Sequence, residues 1–261
     1  MSSLQPPPPP PSPTVEHLGF HIPRRLAVLT GTLPDFTTVS NFHMDILRRY
    51  GELDRARSIV EIGCGVGRDA IAIARMDGEP RHYLGIDIIE ESIVWATKNI
   101  APRHPTFEFL YINPGDKPRE RMQERQIPRE DASQDLIFLF SVFTHMFPTD
   151  LRHYLSEFHR MLRPGGRVVT TMFVVSDALL AHIKSIGGGG MRALTFEHEI
   201  EQGFYHNDPE MVPGSTAYSR EWIARAAQEA DLQLTDLAKG TWARDGVSDV
   251  HGQDVVVLRK T

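Results

Sequence analysis

The chain has 261 residues, which suits one elaborated domain, and its 41% hydrophobic and 24% charged residues are the ordinary proportions of a globular protein. A net charge of −6 with no basic block to offset it argues against a general nucleic-acid binder, and no apolar run has the length of a membrane span. The lone cysteine, Cys64, excludes an intrachain disulfide framework, and with no charged-then-apolar leader pattern the expected location is cytoplasmic.

Residues 1–16 are rich in Ser and Pro, with unbroken proline from Pro6 to Pro11. Such a segment cannot bury a core and is expected to be a passive disordered or polyproline II tail; a ligand for a proline-reading domain is the alternative. Residues 17–56 read as an N-terminal cap, in which Phe42, Met44, Ile46, Leu47 and Tyr50 stripe a helix that ends near Gly51. Ser58 to Ile62 is β-branched and apolar, a buried strand, and Gly63, Gly65 and Gly67 follow before helical spacing begins at Arg68. The dinucleotide fingerprint would need glycine where Arg68 stands. Glu61, just before the first glycine, is awkward beside a pyrophosphate and suits a cationic amino group. The ligand implied carries an ammonium or sulfonium group and no phosphates.

Ala70, Ile71, Ile73 and Ala74 mark the buried face of a first crossover helix, and Ile93, Ala96, Thr97 and Ile100 that of a second. Between them Tyr83 to Ile89 is a strand carrying Asp87, placed to accept hydrogen bonds from ribose hydroxyls. Phe107 to Ile112 is a third strand, stopped at Asn113-Pro114, and residues 116–131 read as a charged, solvated loop. Asp135 to Ser141 is the fourth strand. A helix follows from Pro148, striped by Leu151, Tyr154, Leu155, Phe158, Met161 and Leu162. Arg163 to Gly166 turns into a fifth strand, Arg167 to Val175. Gly187 to Gly190 reads as a hinge and residues 184–219 as an inserted lid. Arg220 to Ala230 is helical, and Gln233 to Leu237 and Asp254 to Arg259 are the last two strands. The alternation demands an α/β fold, a mostly parallel, doubly wound sheet with helices on both faces. Residues 17–261 form a single domain, with a core over 57–183 and C-terminal strands over 220–261.

Four stretches in order, Glu61 to Gly67, the strand ending in Asp87, Asp135 to Met146, and Leu162 to Arg167, resemble the class I S-adenosylmethionine-dependent methyltransferases over about Arg48 to Thr171. The resemblance implies a Rossmann-like, seven-stranded sheet with an antiparallel terminal strand. It implies a cap lying over the cofactor, so that Phe36 to Phe42 touch it. S-adenosylmethionine would be held by Glu61, Gly63, Gly65, Gly67, Arg68, Asp87, Ile88, Asn113 and Ser141, with Asn113 standing where many relatives place an acid for the adenine amino group. The Asp/Asn-Pro-Pro-Tyr/Phe signature of many amino-group methyltransferases is absent, since Ser141-Val142-Phe143-Thr144 occupies its position.

Val142 to Met146, Gln253 to Val256 and Trp242 resemble a subgroup that modifies glycans and natural products, which implies O-methylation of a sugar-like hydroxyl on a small-molecule or glycan acceptor. In that reading His145, past the fourth strand, is the general base; a structural histidine capping the next helix is the alternative. His206 and Asp208 in the lid are candidate substrate contacts or surface residues, and Trp242 a wall on which a sugar could stack. No spacing suggests a metal site. N- or C-methylation, a nicotinamide-dependent oxidoreductase and a catalytically inactive cofactor-binding protein are the competing readings. The acceptor's identity and the oligomeric state are not readable.

Overall fold

The computed structural model describes residues 13–30, 36–113, 126–190, 193–208, 210 and 214–261. Most of the proline-rich tail and most of the charged insertion expected at 116–131 lie outside the described residues. The chain opens with a hairpin, β1 (Thr14–His17) and β2 (Phe20–Pro23), and a short helix α1 (Arg24–Leu29). The cap helix α2 (Phe36–Gly51) follows, ending at Gly51 as its stripe predicts, although the buried face also takes Ser40 and His43. The hairpin leaves no pattern long enough to read from sequence.

Alternation then sets in: β3 (Ser58–Ile62), α3 (Arg68–Ala74), β4 (His82–Asp87), α4 (Glu90–Asn99), β5 (Phe107–Tyr111), β6 (Gln134–Leu139), α5 (Pro148–Met161) and β7 (Leu162–Met172). After a two-residue strand β8 (Val174–Val175) come α6 (Asp177–Ser185), β9 (His198–Glu201), β10 (Phe204–His206), β11 (Thr216–Ser219), α7 (Arg220–Glu229), β12 (Leu232–Ala238) and β13 (Asp254–Lys260). The main sheet has seven strands in the order β12-β13-β7-β6-β3-β4-β5, with β13 antiparallel to both neighbours and the other pairs parallel.

Period-two alternation explains its two cores. Ile59, Tyr83, Phe138, Val169 and Val257 face one side and pack with Leu47 of α2, Ile71 of α3 and Ala96 of α4. Val60, Leu84, Ile137, Val168 and Val256 face the other and pack with Leu155 and Phe158 of α5 and Trp222 of α7. The chain runs outward from β3 in one direction and from β6 in the other, so a crevice opens at the carboxyl ends where the order reverses. Because β13 runs backwards, pairing Asp254 with Met172, its first residues sit at that same end.

Residues expected as a lid form part of a second, four-stranded sheet, β8-β11-β10-β9. Phe173, Phe196, Ala217 and Trp242 give it a small core of its own. The glycine run is pinned: Gly189 and Leu194 exchange two backbone hydrogen bonds of 2.8 Å, and Gly190 N–H donates to Trp242 O at 2.6 Å. Gly188 has φ +106°, and a Cβ there would lie 2.3 Å from the Ala193 carbonyl carbon, so glycine answers a tight turn at this position.

Candidate active site

The turn after β3 satisfies itself. Gly63 and Cys64 donate their N–H groups to Ile86 O (2.7 and 3.0 Å), and Gly67 donates to Cys64 O (2.8 Å). Gly65 N–H donates to Asp87 Oδ2 at 2.7 Å and Val66 N–H to Thr30 Oγ1 at 3.2 Å. Every amide from Gly63 to Gly67 is therefore used inside the protein, and none is left to point at a phosphate as nucleotide-binding turns require. Gly65 has φ +53°, and a Cβ there would stand 2.5 Å from Thr30 Oγ1. Asp87 also accepts Ile89 N–H at 2.8 Å and is 8% exposed; burial pushes its pKa up against the pull of these donors. Ile88 N–H is a third donor to it, so of a carboxylate's roughly four acceptor positions about one remains for a hydroxyl. This donor set fits a phosphate-free nucleoside.

Arg68 does not reach the ligand crevice. It is 7% exposed, sends Nη1 to Thr30 O (3.4 Å) and Nε to Asp69 Oδ1 (3.4 Å), and lies over the Phe36 ring. Its own carbonyl accepts from His17 Nε2 at 3.0 Å, while His43 Nδ1 donates to Asp69 Oδ2 at 2.6 Å. Burial would raise the Asp69 pKa, but His43 and Arg68 outweigh it and bring it to about 2. These contacts clamp the cap onto the turn. Glu61 is buried beneath it and accepts a hydrogen bond from Tyr83 Oη; desolvation, helped by the Asp69 charge, raises its pKa well above the carboxylate range. Gly67 backs onto Ile100, while Ile88 and Asn113 are exposed past their strands. None of these five residues lines the crevice.

The crevice is a cleft of about 870 Å³ that brings Gly63, Gly65, Asp87, Ser141, His145 and Trp242 together. Ser141, at φ 59°, donates its N–H to Thr171 Oγ1 (2.8 Å) and its hydroxyl to Gln253 Oε1 (3.0 Å). His145 is exposed and its Nδ1 lies 2.7 Å from Gly214 O. A carbonyl only accepts, so in the neutral ring Nδ1 carries the proton and Nε2 keeps its lone pair. Trp242 is packed against Phe173, Phe196 and the Gly189 backbone, with 4% of its surface exposed, and donates Nε1–H to Asp254 Oδ2 at 2.7 Å. Asp254 also accepts Val174 and Gly240 N–H; burial pushes its pKa up to about 6.

His206 lies outside the cleft, 1% exposed and stacked on Phe147 at 5.5 Å, and Asp208 accepts Glu210 N–H close by. Thr30, Arg244, His251 and Gln253 also line the cleft; Thr30 and Arg244 carried no site signal in the sequence, since isolated polar residues in loops have no spacing to read. Among the described residues no cluster of three or more His, Cys, Asp or Glu is placed to hold a metal ion, and no helix is long and apolar enough to cross a membrane.

Residues 59–166 match the family described as a methyltransferase domain. The fold is the Rossmann-like methyltransferase fold. A Mycolicibacterium smegmatis protein named as a probable S-adenosylmethionine-dependent methyltransferase is 28% identical over 124 residues, 48% of this chain and 41% of that protein. A probable thiol methyltransferase of Arabidopsis thaliana is 30% identical to the chain over 130 residues, 49% of this chain and 50% of that protein. The chain thus spans about half the length of that curated relative. A Pyrococcus horikoshii protein superposes with a TM-score of 0.58 at 17% identity, covering 87% of this chain and 92% of its own. A Burkholderia thailandensis 1,6-didemethyltoxoflavin N1-methyltransferase, solved with S-adenosylhomocysteine, gives 0.52 at 19% identity, with 86% and 85% covered. At such identities these structures establish the methyltransferase fold alone.

Proposed function

We propose that the chain transfers a methyl group from S-adenosylmethionine to a hydroxyl of a small-molecule acceptor, with His145 as general base. The observation that carries this reading is the 2.7 Å contact of His145 Nδ1 with Gly214 O, which in the neutral ring leaves the Nε2 lone pair of a cleft-lining residue unused. The bound donor supplies an activated methyl on a sulfonium, open to in-line displacement. Asp87 would hold the ribose through its remaining acceptor position. The cap, locked by Arg68 and Thr30, would cover the cleft and exclude water. Ser141, tied to Gln253, would border the acceptor, and Nε2 of His145 would accept the hydroxyl proton as the new carbon–oxygen bond forms.

A carbohydrate scaffold draws no support from Trp242, whose ring is used by the protein. The name of the Arabidopsis relative suggests a thiol acceptor as a second reading. A thiol ionises more readily and needs the base least, so the two differ in how far turnover depends on His145. The test is methyl transfer from labelled S-adenosylmethionine to a panel of phenols, alcohols, sugars and thiols, with the product identified by mass spectrometry. A methyl ether whose formation collapses in His145→Asn is the expected result. Tight S-adenosylhomocysteine binding with no transfer to any acceptor would leave a binding protein and refute the proposal.

A further inference from the structure

We infer that the acceptor is an acid, a small molecule whose oxyanion pairs with Arg244 while its nucleophilic group lies at His145. The identity of the reacting group rests on the methyl-transfer reading above; the charge of the acceptor rests on the cleft alone. Among the described lining residues the full charges are Asp87 and Arg244. They sit at opposite ends. Asp87 closes β4, whereas Arg244 belongs to the connection between β12 and β13, and the sheet order places β3, β6 and β7 between β4 and β13. Four inter-strand steps separate those strands by roughly 19 Å, so Asp87 does not neutralise Arg244.

Nor does any other acid among the described residues. Arg160 pairs with Glu157 and Asp131, and Arg152 with Glu201 and Glu229, but Arg244 has a single recorded bond, Nη2–H to Gly190 O at 2.8 Å. A guanidinium has five N–H donors in a planar fork, and its remaining edge matches a carboxylate or phosphate. The position is also costly. Arg244 has φ 55°, a left-handed conformation that a bulky side chain adopts only when its surroundings impose it. Here they do: its N–H donates to Thr241 O at 3.2 Å, and the preceding Trp242 and Ala243 are buried. The apolar side chains of Phe140, Phe173 and Leu194 line the same cleft and contribute no competing anion. A cation held there, away from Asp87 and on the same cleft as His145, selects for an anionic acceptor and against a cationic one.

The full chain, saturated with S-adenosylhomocysteine, is titrated calorimetrically with acids and their neutral twins: 4-hydroxybenzoate and 4-hydroxybenzamide, lactate and lactamide, 4-hydroxyphenyl phosphate and hydroquinone. The acid of at least one pair should bind on the order of tenfold or more tightly than its twin, the scale of a charge-assisted hydrogen bond. Which acid leads assigns carboxylate or phosphate. Arg244→Gln should erase the preference, Arg244→Lys should keep part of it, and His145→Asn should leave it untouched. A preference in no pair, or one that survives in Arg244→Gln, overturns the inference. Failure of S-adenosylhomocysteine itself to bind would instead strike the methyl-transfer reading and is seen before any acid is added.

Discussion

The two ends of the cleft are built on opposite terms. At the glycine turn, the proposed donor end, the backbone is closed on itself: each amide from Gly63 to Gly67 has a protein partner, and Asp87 is fixed by the N–H groups of Gly65, Ile88 and Ile89. At the opposite end, where the acceptor is proposed to bind, the pieces come from segments far apart in the chain, Ser141 to His145, Gly190, Gly214, and Thr241 to Gln253, and hydrogen-bonding capacity is left open. Two residues there, Ser141 and Arg244, hold left-handed backbone without being glycine. A site that must bind one constant ligand can be saturated and rigid, whereas the end that meets a particular acceptor keeps its strain and its unspent donors.

The sharpest way to break that comparison is His145→Asn. Turnover should fall by roughly 10²–10⁴-fold with S-adenosylhomocysteine affinity unchanged, because the base acts in the acceptor half alone; calorimetry and steady-state kinetics on the same preparation decide it. Gly65→Val attacks the other half. Its Cβ would stand 2.5 Å from Thr30 Oγ1 at φ +53°, so the donor-induced rise in melting temperature should vanish and stability should drop by about 1–3 kcal/mol. Asp87→Ala should weaken S-adenosylhomocysteine by roughly 1–3 kcal/mol, and Asp87→Asn, which keeps one acceptor oxygen, by less. Equal donor affinity in wild type and both variants would remove Asp87 from the ribose.

The smallest effect is a pH signature at the acceptor end. Asp254 titrates near 6 in the fold against an ordinary 3.8, so its proton is favoured by folding. The stability this contributes is complete below about pH 4 and is lost as pH rises through about 6. Between pH 7 and pH 5 the stability of the wild type should therefore gain about 1 kcal/mol relative to Asp254→Asn, whose amide does not titrate. Thermal melts of both proteins at the two pH values read it, and parallel shifts would place the titration elsewhere.

The donor end was legible because its information is local. Five strand residues, alternate glycines and an acid at the next strand end occupy one continuous stretch each, and β3 runs from Ser58 to Ile62 as the sequence indicates. Even there, Arg68 and Glu61 sit in the right motif but turn inward, to the cap and to Tyr83, because side-chain direction depends on tertiary neighbours that no spacing encodes. Beyond the turn, the residues named from sequence that line the cleft are Ser141 and His145, which ride on a predicted strand end, and Trp242 and Gln253, which entered through the resemblance. Arg244 lies in the connection that leads into the reversed β13, and its loop neighbours have no periodicity. His206 and Trp242 were chosen for their chemistry as side chains, and burial claimed both for packing.

The saturated turn has a consequence for what else can occupy the donor end. Adenine nucleotides share the base and ribose of S-adenosylmethionine and are abundant wherever metabolism runs, yet their phosphates would find no free amide between Gly63 and Gly67 and would meet the Asp87 carboxylate instead. Under the proposed function, discrimination against this crowd of lookalikes would be achieved by omission, through hydrogen bonds that the protein makes with itself.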